Sequence, residues 1–355
     1  MEKLFTSWSL KGLEIKNRIC VPPMVCFGWS DDSGMVTEKN VEHYRAIAKG
    51  GAGLVIQEAT CISRNGRLSL DQLGIWEDGQ VAGLKKIVDA VHGEGVPILL
   101  QIHHAGVIGA EEDRVCPSEY TCVHKGIEKH GRMLTVEEIK TIEQEFIDGA
   151  RRAFEAGYDG VELHGCHNYL LCQFMNRRVN RRTDAYCAEG MEIVKNILEG
   201  IRKVTPPEFV VGIRLGAFEP EIADGIAHAK WLEENGIDFI DVSYGFSYEA
   251  EEIKPEDYPF TEAVYGAKRI KEAVSVPVFA VNGIQTGEQA EGVLMDTGVD
   301  MVDIGRGVLV NYSWADDVKE GRDPGKCLYC KTCMWRVDPA RCAGRILYER
   351  KKDRG

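Results

Sequence analysis

Residues 159–183 read DGVELHGCHNYLLCQFMNRRVNRRT, and three polar side chains end or follow the short apolar run in this stretch. The run ends at His164, His167 comes three residues later, and Tyr169 comes two residues after that. Two imidazoles and a phenol at the end of a strand can bind an oxygen atom and transfer a proton. Because buried polar groups are costly without partners, such a cluster calls for an explanation. On this stretch alone, a loop of three satisfied polar side chains explains the residues equally well.

Four of the twelve cysteines lie close together near the end of the chain. Cys327, Cys330, Cys333 and Cys342 have the spacing Cys-x2-Cys-x2-Cys-x8-Cys. Three close cysteines and a distant fourth favour a [4Fe–4S] cluster over zinc, because structural zinc sites usually take two separated pairs. Zinc, and unligated or redox-active thiols, are the alternatives. Most of the scattered cysteines are interpreted as small core residues.

The composition limits the classes of partner. The chain has 355 residues, enough for one barrel-sized domain, and a net charge of −13. Such an acidic chain is not expected to bind nucleic acid or an anionic membrane surface. No apolar run is long enough to span a bilayer, and residues 1–9 do not resemble a signal peptide. We therefore expect a cytoplasmic protein, and we leave its oligomeric state open, a homo-oligomer included.

Short apolar runs alternate with amphipathic helical stretches along the chain, and these elements must position the polar residues. Nearly all-apolar runs are typical of parallel strands buried on both faces. Eight of them predict a (β/α)8 TIM barrel, with a doubly wound open sheet as the alternative. The runs are residues 18–22, 53–58, 98–102, 160–164, 210–214, 239–243, 278–281 and 301–305. The helical patterns include residues 81–93, 136–156, 189–203, 222–235, 262–274 and 287–296.

Two segments lie outside the repeating strand–helix pattern. Residues 4–17 are predicted to form a hairpin that closes the bottom of the barrel. We place the barrel at residues 1–320 and a short cysteine-bearing extension at 321–355. Residues 115–133 are expected to cover the pocket at the opposite end.

The predicted strands end in polar and glycine-rich residues, where a core would be apolar. Chemistry in a barrel gathers at these carboxyl ends. Gln101, His103 and His104 follow the third run, and Arg214 ends the fifth. The glycines after the last two runs suit a phosphate, which backbone N–H groups and Arg306 can bind.

Several sequence blocks together resemble the Old Yellow Enzyme family, the NADH:flavin oxidoreductases that use FMN. The resemblance spans roughly residues 3–315, and its most specific block is EFIDGARRAFEAGYDGVELHGCHNYLLCQFMNRRVNRRTDAY. The other blocks are IKNRICVPPM (15–24), GGAGLVIQEAT (50–60), LLQIHHAG (99–106), VVGIRL (210–215), DVSYG (241–245), VPVFAVNGIQTGEQAEGVL (276–294) and VDMVDIGRGVL (299–309).

The resemblance implies a role for each matching position. Reduced FMN would pass a hydride from its N5 to the β-carbon of an α,β-unsaturated carbonyl compound. His164 and His167 would hold the carbonyl oxygen, and Tyr169, with an ordinary phenol pKa, would protonate the neighbouring carbon. The FMN-binding residues would be Pro23, Met24, Val25, Ala59, Gln101, His164, Arg214, Asn282, Gly283, Gly305 and Arg306. Substrate contacts are assigned to His164, His167, Phe27, Asn168 and Tyr244.

This sequence departs from the family pattern at a few positions. A subgroup has a flavin-tuning cysteine where Val25 stands, so we interpret Cys26, one residue later, as a packed thiol. The usual glycine after the second histidine is Asn168. The longer dienoyl-CoA and enoate reductases of the family carry a cluster with three residues in the second cysteine gap, where this chain has two.

The source of electrons and the substrate stay open at this stage. With a cluster, a separate reductase or ferredoxin-like protein would donate electrons; without one, NAD(P)H would reduce FMN directly. The substrate classes are enoates, enones, steroids and CoA thioesters. The other hypotheses are an FMN and iron–sulfur amine dehydrogenase or demethylase, a non-catalytic redox or metal sensor, and a flavin-free aldolase-type barrel.

Overall fold

The computed structural model describes residues 1–244 and 254–352, and its centre is a closed barrel of parallel strands. The strands of the described residues are β1 (Trp8–Leu10), β2 (Leu13–Ile15), β3 (Ile19–Val21), β4 (Leu54–Cys61), β5 (Ile98–His103), β6 (Val115–Cys116), β7 (Tyr120–His124), β8 (Ile127–Met133), β9 (Gly160–Gly165), β10 (Val210–Gly216), β11 (Phe239–Ser243), β12 (Val278–Val281) and β13 (Met301–Asp303). The barrel order is β10-β11-β12-β13-β3-β4-β5-β9. The eight runs therefore form the predicted barrel, and the doubly wound sheet is excluded.

Helices connect the barrel strands and cover the outside of the barrel. They are α1 (Glu38–Lys49), α2 (Val81–His92), α3 (Val136–Ala156), α4 (Leu170–Met175), α5 (Glu192–Val204), α6 (Ile222–Glu234), α7 (Glu262–Lys271), α8 (Gly287–Thr297), α9 (Arg306–Val310), α10 (Trp314–Lys319) and α11 (Ala343–Lys352). Of the described helices, none is long and apolar enough to cross a membrane.

The longest helix, α3, shows how local sequence sets the boundaries of these elements. Its N-cap Thr135 accepts a hydrogen bond from the backbone N–H of Glu138, which completes a capping box. The buried positions recur on one face of the helix, which packs on α5 and the barrel. The helix ends at Gly157, whose φ of +93° is left-handed, as a helix stop requires.

The β1–β2 hairpin closes the bottom of the barrel, as predicted. Its strands pair antiparallel, with Leu10 opposite Leu13. Leu10 and Ile15 are buried against side chains from the first three positions of the barrel strands. These barrel residues are Cys20, Leu54, Ile56, Leu99, Val210, Phe239, Phe279 and Met301.

Two irregular excursions lie outside the barrel. Between β5 and α3, β7 and β8 form an antiparallel hairpin, and β6 pairs with β8. After α10, the chain runs through short 3₁₀ turns at Met334–Arg336 and Pro339–Arg341 before α11. Both excursions reach the carboxyl end of the barrel, where they line the same cavity.

The hairpin plug yields a first prediction. Replacing Leu10 with alanine removes a side chain that is 2% exposed, so we expect the free energy of unfolding to fall by about 2–5 kcal/mol. Glu14→Ala, at an exposed position on the same hairpin, should change it by less than about 0.5 kcal/mol. Urea unfolding followed by circular dichroism measures both. Equal effects of the two substitutions would show that the hairpin does not contribute to the core.

Candidate active site

A cavity of about 460 Å³ opens at the carboxyl ends of the barrel strands. Its volume is in the usual range for small-molecule sites. Most residues predicted for the site line this cavity: Pro23, Met24, Val25, Phe27, Ala59, Gln101, His164, His167, Tyr169, Arg214 and Arg306. Asn282, Gly283 and Gly305 line an adjoining cavity of about 170 Å³, which shares Met24, Arg214 and Arg306 with the first.

Three imidazoles form a continuous hydrogen-bonded chain across the cavity wall. His103 Nδ1 lies 3.1 Å from His164 Nδ1, and His164 Nε2 lies 3.2 Å from His167 Nδ1. His167 Nε2 lies 2.7 Å from Ser243 Oγ. Both ring nitrogens of His164 and of His167 are therefore bonded within the protein. A ligand oxygen can receive an N–H from this pair only by replacing one of these bonds.

The imidazoles of this chain are uncharged at neutral pH. Burial, together with the charges of His103, His167 and Arg214, holds the pKa of His164 well below its ordinary value. Burial lowers the pKa of His103 and of His167 to about 3. A neutral imidazole has one N–H donor and one acceptor nitrogen, so one choice of tautomer fixes the direction of every bond in the chain.

The Cys166 thiol lies beside the histidine pair. Its sulfur and one nitrogen each from His164 and His167 lie within 4.8 Å of one another, a combination that can ligate a metal ion. Burial raises the pKa of Cys166 well above its ordinary value, so this sulfur is a protonated thiol and a weak ligand.

The Tyr169 phenol packs edge-on against two of the imidazoles. Its ring centroid lies 4.5 Å from that of His103 and 4.6 Å from that of His164. Burial raises the Tyr169 pKa above 10, so the ordinary phenol pKa expected from the sequence was wrong. The phenol stays protonated at neutral pH and can still donate its proton.

The turn after β9 explains why asparagine follows the second histidine. His167 and Asn168 have φ values of +62° and +59°, in the left-handed region that asparagine tolerates better than most residues. The Asn168 side chain points to the β7–β8 hairpin, where Nδ2 lies 3.6 Å from Cys122 Sγ. Asn168 is therefore not among the described residues that line the cavity, contrary to the sequence assignment.

Tyr244 is the second predicted substrate contact that lies elsewhere. Its ring packs 5.2 Å from the ring of Phe218, and it is not among the described cavity-lining residues. Residue 245, which ends the DVSYG block, and the rest of that loop to residue 253 lie outside the described residues. Phe27, by contrast, lines the cavity as predicted.

A buried guanidinium lies at one end of the cavity. Arg214 Nε is 3.3 Å from Asp241 Oδ2 but makes no hydrogen bond to a described residue. Asp241, Glu162 and Asp303 surround it, and burial raises the pKa of the Glu162 and Asp303 carboxyls well above the ordinary values. A buried cation that lines a cavity suits an electron-rich or anionic ring edge.

A bulge in β4 places Ala59 in the cavity wall. Gln57 pairs with Leu100 and Thr60 pairs with Ile102, so Glu58 and Ala59 together lie opposite Gln101. The Gln101 side chain donates to Glu162 Oε1 at 2.6 Å, which fixes its orientation.

Cys26 is a packed thiol, as predicted. It is buried against Trp29 and Trp335, and its backbone N–H donates to Glu58 Oε2 at 2.8 Å. Burial and the Glu58 charge raise its pKa well above the ordinary thiol value, so it is unreactive at neutral pH.

The adjoining cavity has the backbone of an anion site. Asn282 and Gly283 have consecutive φ values of +92° and +75°, a turn that exposes successive backbone N–H groups. Gly305 faces Met24 so closely that an added Cβ would lie 3.3 Å from the Met24 sulfur. Arg306 lies over the Tyr329 ring, 4.2 Å from its centroid, and borders both cavities.

The four tail cysteines are unpaired and lie beside the same cavity. Cys327, Cys330 and Cys333 line it, whereas Cys342 packs near Cys26 and Trp335. The backbone N–H of Tyr329 points to Cys327 Sγ at 3.4 Å, a contact that stabilises a thiolate ligand. No three of these sulfurs come within 4.8 Å of one another, which is wider than the roughly 3.8 Å that tetrahedral zinc–thiolate bonds impose.

The sequence did not assign several residues of the site, among them His103, Ser243, Tyr329 and Arg336. The sequence gives His103 no role beyond its place at a strand end, and Ser243 lies within a predicted apolar run. Tyr329 and Arg336 come from the tail, where only the cysteine spacing had carried information. Ser243 had one usable signal, since it is a hydroxyl at the last position of a barrel strand.

Comparison with known sequences gives matches along nearly all of the chain. A family model described as NADH:flavin oxidoreductase / NADH oxidase matches residues 3–324. The chain is 35% identical over 345 residues to an NADH oxidase of Thermoanaerobacter brockii, covering 92% of this chain and 52% of that protein. It is 34% identical over 329 residues to an NADPH dehydrogenase of Listeria monocytogenes serotype 4a (strain HCC23), covering 90% of this chain and 95% of that protein. The chain thus spans about half the length of the first relative and nearly all of the second.

Solved structures show the same architecture. A 2-naphthoyl-CoA reductase, solved with 2-naphthoyl-CoA, matches with a TM-score of 0.85 and 25% identity, over 95% of this chain and 56% of that one. A morphinone reductase in complex with tetrahydroNAD matches with a TM-score of 0.75 and 25% identity, over 90% of this chain and 91% of that one.

The neutral imidazoles make stability depend on pH. His103 has a pKa of about 3 in the folded protein and about 6.5 when unfolded. The unfolded chain therefore binds the extra proton, and His103 should reduce stability progressively as the pH falls below about 6.5, by about 1.4 kcal/mol per unit. In His103→Asn, the plot of unfolding free energy against pH from 6.5 to 4.5 should be shallower by this amount.

Buried Glu58 acts in the opposite direction, since its pKa is raised to about 7, but it does so in both proteins. The difference between wild type and variant isolates His103. Parallel plots from urea unfolding would contradict a neutral, buried His103.

Proposed function

The chain belongs to the NADH:flavin oxidoreductase / NADH oxidase family, and from this premise we propose that it is an FMN-dependent ene-reductase. Its electrons come from NADH or NADPH, either directly or through a separate electron-donor protein, and its substrate is an alkene conjugated with a carbonyl group. One observation carries the proposal: His164, His167 and Tyr169 lie on the wall of the cavity that also contains Gln101 and Arg214.

The chain's residues fit FMN. Arg214 is a buried cation in the cavity wall that suits the most electron-rich edge of the ring, and Gln101 lines the same cavity. The Asn282–Gly283 turn, Gly305 and Arg306 form the adjoining anion site, which suits the phosphate. Pro23, Met24, Val25 and Ala59 line the cavity between the two and would contact the ring system.

The histidine pair binds the substrate's carbonyl oxygen. Bound FMN, when reduced, supplies a hydride for the β-carbon of the alkene. The carbonyl oxygen takes the place of the His164–His167 hydrogen bond and accepts the N–H of His164 Nε2. It accepts a second N–H when His167 takes the tautomer that carries its proton on Nδ1, with Nε2 accepting from the Ser243 hydroxyl. As negative charge develops on this oxygen, both donors strengthen, which stabilises the transition state more than the ground state.

Tyr169 supplies the proton for the α-carbon. The phenol is held against His103 and His164 by edge contacts, so it is oriented before substrate binds. Its raised pKa keeps the proton in place until a strongly basic carbon is formed beside it. Hydride transfer leaves negative charge on the substrate. Substrates in which this charge is neutralised without a proton from Tyr169 would depend less on Tyr169.

Substitutions at these residues test the proposal. Tyr169→Phe keeps the ring contacts and removes the proton, so the kcat for reduction of an α,β-unsaturated carbonyl substrate should fall by about 10²–10⁴. His164→Ala removes one N–H donor and should cost about 10²–10³. Stopped-flow absorbance, with NADPH and the alkene mixed separately with the FMN-loaded enzyme, measures the two half-reactions.

The reductive half-reaction is the internal control. Tyr169→Phe should leave the rate of FMN reduction by NADPH within about threefold of wild type, because the phenol transfers no proton in that step. An unchanged alkene half-reaction in both variants would contradict the assignment. Oxidation of secondary or tertiary amines by the wild type, without alkene reduction, would favour the amine dehydrogenase alternative.

The cysteine-bearing extension, residues 321–355, is proposed to bind a [4Fe–4S] cluster beside the FMN-binding barrel of residues 1–320. Four thiols in one short segment, three of them on the cavity wall, are a suitable ligand set. A cluster there would let a separate electron-donor protein pass electrons to the flavin.

Metal analysis tests the cluster. Protein purified without oxygen should contain about four iron and four acid-labile sulfide per FMN, and Cys330→Ser should lose most of both. Ser313→Ala, outside the tail, is the control. About one zinc per chain and no sulfide would contradict the cluster. Normal NADH turnover by an iron-free Cys330→Ser variant would exclude a required donor protein.

A further inference from the structure

The main cavity is cationic although the chain is acidic. Among the residues the structure describes, four basic side chains line it and no aspartate or glutamate does. Arg214 and Arg306 are accounted for by the proposed FMN site. Lys125 and Arg336 have no role there, and no ion pair is formed by either within residues 1–244 and 254–352.

Lys125 is fixed at the mouth of the cavity by the geometry of the β7–β8 hairpin. His124 pairs with Ile127, so Lys125 and Gly126 form a two-residue turn with φ values of +52° and +79°. Lys129, on β8, donates to the carbonyl oxygens of Ile108 and Gly109 at 2.5 and 2.9 Å, which ties the hairpin to the loop after β5. Lys125, exposed at the tip of this hairpin, therefore lines the cavity from a backbone that is tied to the barrel.

Arg336 approaches the cavity from the tail. The preceding residue, Trp335, is buried against Trp29, with ring centroids 5.5 Å apart, and this contact anchors the turn. The Arg336 guanidinium lies 5.7 Å from the Phe27 ring centroid. Its charge also acts to lower the Tyr169 pKa against the larger effect of burial, which places Arg336 close to the phenol.

The bottom and the mouth of the cavity favour different chemical groups. His164 at the bottom is 7% exposed and uncharged, so a neutral carbonyl can be bound there with little loss of hydration. A charged carboxylate at the same place would lose more hydration free energy than a neutral carbonyl. Lys125 and Arg336 at the mouth are exposed cations without acidic partners, which suits an anion that stays partly hydrated.

We propose that Lys125 and Arg336 form an anion clamp, so that the substrate joins a neutral conjugated carbonyl at one end to a separate phosphate or carboxylate at the other. This inference rests on the proposed ene-reductase function and deepens it. Enoyl thioesters of CoA, with their phosphates, and enones with a distal carboxylate satisfy the clamp. Simple enoates, steroids and neutral enones do not.

Equilibrium binding to the oxidised, FMN-loaded protein tests the clamp without turnover. The ligands are crotonyl-CoA and S-crotonyl-pantetheine, which share the enoyl thioester and differ in the 3′-phosphorylated ADP group that carries the phosphates. Each of Lys125→Met and Arg336→Met should raise the Kd of crotonyl-CoA by up to about fivefold, because exposed charge pairs are individually weak. The double variant should raise it by more than either, and the Kd of S-crotonyl-pantetheine should stay within about twofold.

Lys331→Met is the matched control. Lys331 lies on the same tail, is exposed, and does not line the cavity, so its removal changes the net charge equally. The Lys331→Met substitution should leave both Kd values unchanged.

The second ligand pair is an enone with a terminal carboxylate and the methyl ester of the same enone. The pair whose charged member binds more weakly to the clamp variants identifies the anion.

Three outcomes would overturn the clamp: equal weakening of the charged and uncharged members of both pairs, no weakening of either charged ligand, or a raised KM for NADPH with unchanged Kd for both charged ligands. Failure of the proposed function is a separate result. If the wild type reduces no alkene but its binding of crotonyl-CoA still depends on Lys125 and Arg336, the anion clamp is supported and the ene-reductase function is contradicted.

Discussion

The site depends on a chain of uncharged imidazoles that the barrel keeps out of water. His103, His164 and Ser243 stand at the ends of β5, β9 and β11, and His167 in the turn after β9 joins them by hydrogen bonds. Charging any member would put an unpaired cation beside Arg214 in a low-dielectric interior. The chain therefore holds its rings in fixed positions, and a ligand oxygen can receive one N–H by replacing one internal bond and a second when one ring changes tautomer.

Much of the architecture could be predicted from the sequence. Parallel strands buried on both faces appear as nearly all-apolar runs, and eight such strands are the number that closes into a barrel. The contacts between side chains inside the barrel were harder to predict. His103 and His164 are 61 residues apart and meet because β9 pairs with β5 after the chain has passed through β6–β8. Asn168 was placed in the pocket by its neighbours in sequence, yet its left-handed backbone turns the side chain to Cys122. A position in the chain does not give the direction of a side chain after a turn.

The two excursions from the barrel, rather than the barrel itself, shape the mouth of the cavity. The β7–β8 hairpin contributes Lys125, and the tail contributes Tyr329, Arg336 and three cysteines. The tail has few regular elements from which its path could be predicted; Trp335 anchors it by packing beside Trp29, His43 and Cys26. Under the proposed function, the barrel would provide the flavin site and the reacting groups, and the two excursions would control access to them.

The most direct test of the account is a crystal structure of the FMN-loaded enzyme with a non-reducible ketone analogue of the substrate. The account predicts that the His164–His167 hydrogen bond is broken and that both rings lie about 2.7–3.1 Å from the ketone oxygen, with the Tyr169 hydroxyl facing the carbon to be protonated. An intact His164–His167 bond with the ketone oxygen bound elsewhere in the cavity would contradict it.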